Sequence, residues 1–156
     1  ISAQKGYAQF YLGGAPGVAE MLAEEMQSRF PGLKVAGTHC PPFRDLTPVE
    51  EQEMIAQINA FGADIVWVGL GSPKQDLWMS RYRPLLTPPL LVGVGAAFDF
   101  FTGRQPQAPR WMQRGGVEWL FRLTVEPRRL WRRYLIYNPM FIFQLALQLI
   151  GLRRYE

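Results

Sequence analysis

Gly93-Val94-Gly95-Ala96-Ala97-Phe98-Asp99-Phe100-Phe101-Thr102-Gly103 is where this chain changes character. It reads as the end of a buried strand opening into a glycine-bounded loop with one acid, Asp99. Upstream, apolar runs alternate with amphipathic ones. Tyr7 to Leu12 is a short apolar run rich in β-formers and ends at Gly13-Gly14. From Gly17 to Phe30, Val18, Met21, Leu22 and Met26 recur at a helical period, and Pro31-Gly32 stops that helix. Leu33 to Ala36 is a second strand. Thr47-Pro48-Val49-Glu50 offers a helix start, with Thr as cap, Pro in the first turn and Glu at the capping-box position, and that helix runs to about Phe61. Asp64 to Val68 is a third strand, Lys74 to about Tyr82 a helix, and Leu90 to Val94 the fourth strand.

Strands that are apolar almost throughout, with helices between them, belong to a parallel sheet covered on both faces. The fold class is therefore α/β: a Rossmann-like parallel sheet with helices on both faces, followed by a helical C-terminal appendage. The expected division is a core of residues 1–103 and a basic, Trp/Arg-rich appendage of residues 104–156. In such sheets ligands bind beyond the carboxyl ends of the strands. The loops expected there, Gly13–Gly17, Gly69–Gln75 and Gly95–Gly103, are all glycine-rich.

Downstream of Gly103, residues Arg110–Arg114, Val117–Thr124 and Pro127–Tyr137 read as helices. Asn138-Pro139 is expected to break the chain before a last apolar helix, Met140–Ile150. Charge divides at the same place. Residues 1–103 hold seven Lys/Arg against ten Asp/Glu, and residues 104–156 hold ten Arg against three Glu. A basic third of this kind implies an anionic partner: a nucleotide phosphate, an anionic membrane or a nucleic acid. Residues 134–150 are too short and too interrupted for a spanning helix of ~20 residues. With Arg132, Arg133, Arg153 and Arg154 beside them and Tyr134 and Tyr137 among them, they suit an in-plane membrane helix or a face docked on protein. The single cysteine, Cys40, excludes an internal disulfide framework. A start at Ile1 that runs straight into a strand is read as the edge of a fragment.

Several residues could carry chemistry. Gly13-Gly14-Ala15-Pro16-Gly17 is a strand-to-helix turn whose backbone N–H groups could hold a phosphate, with Gly14 the nearest candidate; as a pattern it equally suits a tight turn. Gly69-Leu70-Gly71-Ser72-Pro73-Lys74-Gln75 lets a ligand approach Gly71 and Pro73 closely, with a cation at Lys74 and an amide at Gln75 for phosphate or sugar oxygens. Gly95 and Asp99 open the third loop, where the acid either caps local backbone or meets ligand hydroxyls or ring nitrogens. Arg122, Arg129 and Arg132 share a face if their helices are contiguous; guanidiniums so placed repel unless an anion such as a diphosphate sits between them, and the same pattern also suits a solvated basic face. His39 and Cys40 are adjacent but too few for a structural zinc site, and no metal-ligand cluster is expected.

Taken together, Gly69–Gln75, Val92-Gly93-Val94-Gly95-Ala96-Ala97-Phe98-Asp99-Phe100, Ala108-Pro109-Arg110-Trp111-Met112-Gln113, Gly116–Leu123 and Glu126-Pro127-Arg128-Arg129 resemble, in order, the signatures of one family. This is the WecG/TagA/CpsF glycosyltransferases, glycosyltransferase family 26. The resemblance implies transfer of an N-acetylmannosamine-type amino sugar, or its uronic acid, from a UDP-sugar to an undecaprenyl-diphosphate-linked acceptor, in teichoic acid, capsule or exopolysaccharide synthesis. It implies no cofactor or metal, a Rossmann-like core and an appendage that meets the inner face of the plasma membrane, so that the protein is cytoplasmic and peripheral. By motif, Gln75 would contact the donor, Asp99 would lie at the nucleotide pocket, and Arg122, Arg129 and Arg132 would complete the active site at the diphosphate. Self-association is left open; nucleic acid is not expected.

There are two departures from the family pattern. Relatives are longer at the N-terminus, and the aspartate proposed as their base lies in that part, so donor binding without appreciable turnover is expected of these residues alone. Gln107 stands where many relatives have Arg. The rival readings are a Rossmann-type oxidoreductase, weakened by the missing G-x-G-x-x-G fingerprint, and a non-enzymatic basic module for a membrane surface or nucleic acid.

Overall fold

A computed structural model of the chain describes residues 1–149. Ile150, Arg153 and Arg154, which figure in the sequence reading, lie outside the described residues. The chain divides into two compact units, Ile1–Pro106 and Gln107–Glu156.

The first unit contains α1 (Ser2–Lys5), β1 (Ala8–Gly13), α2 (Val18–Arg29), β2 (Lys34–His39), α3 (Pro48–Ala60), β3 (Ile65–Gly69), α4 (Lys74–Tyr82), a 3-10 turn (Arg83–Leu85), β4 (Leu90–Gly93) and α5 (Ala97–Phe101). The four strands form one sheet in the order β2-β1-β3-β4, and every adjacent pair is parallel. Strand residues alternate between faces. Phe10, Leu12, Val66 and Val68 pack with Met54 and Ile58 of α3 and Trp78 and Tyr82 of α4. Tyr11 and Trp67 face the other way, with Val18 and Leu22 of α2 and Phe98 of α5. Fully burying a side chain such as Leu12 or Val66 stabilises the fold by about 1.5–3 kcal/mol. Helices thus cover both faces. Buried Gln9 is satisfied within the sheet by accepting from Trp67 Nε1 at 2.6 Å.

The path through the sheet fixes where a ligand crevice opens. From β1 the chain passes through α2 to β2 on one flank. From β3 it passes through α4 to β4 on the other. The order therefore reverses between β1 and β3, and the connections that leave their carboxyl ends run to opposite flanks of the sheet.

Local chemistry explains the sharpest boundaries. Thr47 Oγ1 accepts from Glu50 N at 3.3 Å, Glu50 Oε2 accepts from Thr47 N at 2.8 Å, and Pro48 fills the first turn of α3. Arg44 forks onto the same carboxylate at 2.8 and 2.6 Å. These hydrogen bonds, Arg44 first, hold the Glu50 carboxyl down at about 2. Gly32, at φ 87, follows Pro31 in the turn after α2.

The second unit contains α6 (Arg110–Arg114), α7 (Glu118–Val125), α8 (Pro127–Arg132), a π-helical turn (Arg133–Tyr137) and α9 (Asn138–Leu149). Trp119 of α7 meets Tyr134 of the π turn with ring centroids 5.8 Å apart, and Leu130 is buried.

Four expectations change. The chain opens not on a strand but on the short helix α1 (Ser2–Lys5), ahead of β1. Asp99 sits not in an open loop but in the first turn of α5, a helix of five residues that is too short to show a period. The Asn138-Pro139 break is absent: Asn138 is helical (φ −66, ψ −48), and its N–H bonds to Arg133 O. Pro139 has no N–H and crowds the turn before it, and the widened π turn takes up that mismatch. Finally, α7 and α8 are not contiguous. Glu126, at φ −128 and ψ 60, interrupts them, so Arg122 does not share a continuous helical face with Arg129 and Arg132.

Candidate functional site

At the carboxyl edge of the sheet the first loop lies directly against the β3 loop. Gly14 N–H donates to Gly69 O at 3.0 Å. A Cβ on Gly13 (φ 119) would stand 2.6 Å from that same oxygen, and a Cβ on Gly69 would stand 2.9 Å from the Phe98 ring. These glycines are required by backbone-to-backbone and ring-to-backbone packing at the switch point. Gly14 therefore contributes close approach, while its N–H is committed within the protein. Its carbonyl accepts from Cys40 Sγ at 3.2 Å.

The second loop is more open. Gly71 (φ 76) would carry a Cβ into empty space. Its carbonyl accepts from Gln75 N at 2.8 Å. The Ser72–Pro73 peptide is cis, and Pro73 stands at the N-cap position of α4. Lys74 opens α4 fully exposed and makes no ion pair among the described residues. A cation at an exposed helix start is free to meet an anionic ligand. Gln75 is turned inward, 9% exposed, and its Oε1 accepts from Gly95 N at 2.8 Å. Gly95 itself has φ 57 with open space where a Cβ would be.

Asp99 is half-buried on α5, and no hydrogen bond or ion pair engages its carboxylate among the described residues. Its backbone carbonyl accepts from Gln105 N at 3.1 Å, which folds the following segment back. Its neighbour Phe98, 2% exposed, is the wedge under Gly69 and meets Tyr11 edge-on at 6.0 Å. Burial pushes the Tyr11 phenol up to about 12.

His39 and Cys40 diverge. His39 Nδ1 pairs with Gln57 Oε1 of α3 at 2.8 Å, whereas Cys40 turns to Gly14. Burial, and then the charge of Glu20, push the Cys40 thiol up, so it lacks the thiolate character of a nucleophile. No group of three or more His, Cys, Asp or Glu that could hold a metal occurs among the described residues.

In the second unit Arg122 pairs with Glu118 at 2.7 Å. Arg132 is exposed, with its guanidinium 5.4 Å from the Trp131 ring centroid. Arg129 lies on α8, and its side chain is outside the described residues. Apolar side chains crowd the surface of the last helix: Phe141, Ile142 and Phe143 are each 64% exposed. No helix among the described residues is long and apolar enough to cross a membrane.

A cavity of about 450 Å³ lies elsewhere in the first unit, between α1, α2, α5 and the sheet. Its walls include Tyr11, Trp67 and Phe101, no charged side chain lines it, and none of the predicted site residues does. Such a space does not suit a diphosphate. The sequence reading missed Phe98 as a wedge and Cys40 as a loop anchor. Both act on glycines far along the chain, and no local pattern signals them.

Gly14, Gly71, Pro73, Lys74, Gln75, Gly95 and Asp99 thus belong to loops and helix starts at one edge of a parallel sheet. Glycine-packed loops there, an exposed cation opening α4 and an acid on α5 unengaged among the described residues define an α/β protein with a candidate ligand crevice at the carboxyl edge of its sheet. Which one follows from comparison with known families. The model of the glycosyl transferase WecG/TagA/CpsF family matches residues 1–155, and the chain belongs to that family. It is accordingly a glycosyltransferase of cell-surface polysaccharide synthesis, a class that uses a nucleotide-sugar donor and a lipid-linked acceptor.

Proposed function

We propose that this chain carries the donor site of an inverting transferase that moves an N-acetylmannosamine-type amino sugar, or its uronic acid, from a UDP-sugar to an undecaprenyl-diphosphate-linked acceptor. The observation that carries the donor assignment is the second loop. Gly71 leaves open space beside it, and Lys74 presents an ammonium that is unpaired among the described residues at the head of α4. Asp99, with its carboxylate unengaged, is the group to accept from donor hydroxyls or ring N–H.

In the reaction the acceptor oxygen bonds to the sugar's anomeric carbon while the bond from that carbon to the β-phosphate oxygen breaks. The electron pair leaves on UDP, and the acceptor proton passes to a base. Arg122, Arg129 and Arg132 are assigned to stabilise the charge growing on UDP, an electrostatic role that often dominates catalysis. The exposed apolar residues of α9, with Arg132 and Arg133 before them, support peripheral attachment to the anionic inner face of the plasma membrane; a second copy of the chain is the other candidate to cover them.

The test is sugar transfer from UDP-N-acetylmannosamine to a prenyl-diphosphate-linked amino sugar by the enzyme, wild type against Arg122→Ala and Arg132→Ala. Each variant is expected to lower kcat by roughly 100-fold. Unchanged transfer would remove the arginines from the mechanism, and equal use of UDP-glucose would remove the sugar assignment.

A further inference from the structure

We infer that Gln75 is a positioning residue that locks the β3 and β4 loops to one another and so sets the start of α5, the helix that bears Asp99. The inference rests on the proposed donor site only for its effect on UDP.

The β3–β4 ladder ends with Val94 N–H donating to Val68 O at 2.9 Å. The next N–H in the chain, that of Gly95, has no strand opposite it. The Gln75 side chain takes that place, with Oε1 accepting from Gly95 N at 2.8 Å. A peptide N–H can only donate, so the amide atom facing it must be the oxygen, which fixes the orientation of the carboxamide. From the same residue, the backbone N–H donates to Gly71 O at 2.8 Å. One residue therefore holds both loops, the β3 loop by its main chain and the β4 loop by its side chain. Burial matters here: at 9% exposure, water competes poorly for this bond.

Gly93 belongs to the same device. A Cβ there would meet Met79 Cε at 2.9 Å, Gln75 Nε2 at 3.0 Å and Gln75 Cδ at 3.2 Å. Its backbone carries no positive φ, so what requires glycine is room for the Met79 methyl and the Gln75 amide. A further consequence is that Gly95 N–H is spent within the protein and does not serve as a phosphate donor. The contribution of Gly95 to the site is the turn it allows, at φ 57, two residues before α5 begins.

The test uses the whole chain and three variants. Gln75→Met keeps length and removes the acceptor. Gln75→Glu keeps an oxygen for Gly95 N–H. Gly93→Ala crowds the amide without altering its chemistry. Hydrogen exchange of the Gly95 amide is followed by NMR, with Val92 and Val94 as internal references and a thermal melt to confirm folding. Gly95 is expected to exchange about tenfold faster in Gln75→Met and Gly93→Ala, with the references unmoved, and to stay protected in Gln75→Glu. UDP affinity is expected to fall about tenfold in the first two variants. Unchanged Gly95 exchange in Gln75→Met overturns the lock. Faster exchange with unchanged UDP affinity overturns the positioning role. A wild-type chain that does not bind UDP at all counts against the donor site, and the exchange data then still decide the lock.

Discussion

Gly13 and Gly17 both have positive φ, but only Gly13 is pressed against another chain segment, the carbonyl of Gly69. Gly17→Ala should cost about 1–2 kcal/mol, the strain of a left-handed residue with open space around it. Gly13→Ala adds a clash between backbones that cannot both stay, and should cost about 3 kcal/mol or more. Urea unfolding of the two variants side by side checks this; equal losses would mean that the loops separate without penalty. Glu50 gives a pH signature. Its folded carboxyl lies at about 2, below its ordinary 4.5. The contribution is therefore complete above about 4.5 and is lost as pH falls toward 2. Glu50→Gln should lower the melting temperature at pH 6 and leave it level with wild type by pH 2. A gap that persists at pH 2 would place its origin outside the carboxylate's charge.

At the level of elements, α3 starts where side-chain chemistry tells it to. Thr47→Ala removes the acceptor for Glu50 N and should cost about 1 kcal/mol. Lys74→Ala should leave the melting temperature unchanged, because the ammonium has no partner among the described residues to lose, while weakening UDP binding about tenfold. A destabilised but fully binding variant would reverse that assignment. Legibility in the sequence follows the same physics. The strands, α4 and the capping box were readable because apolar runs, period and cap residues are local signals. The five residues of α5 span little more than a turn, so no period could show. Asn138-Pro139 carries a strong local break signal that the widened turn before it overrides. The glycine loops were recognisable as places of close backbone approach, which glycine permits. Their internal commitments, Gly14 to Gly69 and Gly95 to Gln75, were not, because each partner lies far away in the chain.

For the whole molecule, the claim is that an acidic α/β unit with a donor crevice and a basic helical unit serve one transfer reaction. The apolar surface of α9 gives that claim a physical consequence. Vesicles with anionic lipid should retain the protein and neutral ones should not, and added salt should weaken retention. Salt-independent retention would point to apolar contact alone. The most direct test is calorimetric titration of UDP into the chain, beside UMP and NADH. UDP should bind at least about tenfold tighter than UMP, because only UDP presents a second phosphate to Lys74. NADH should not compete. Equal affinity for UDP and UMP, or binding of NADH alone, would contradict a diphosphate-reading donor site.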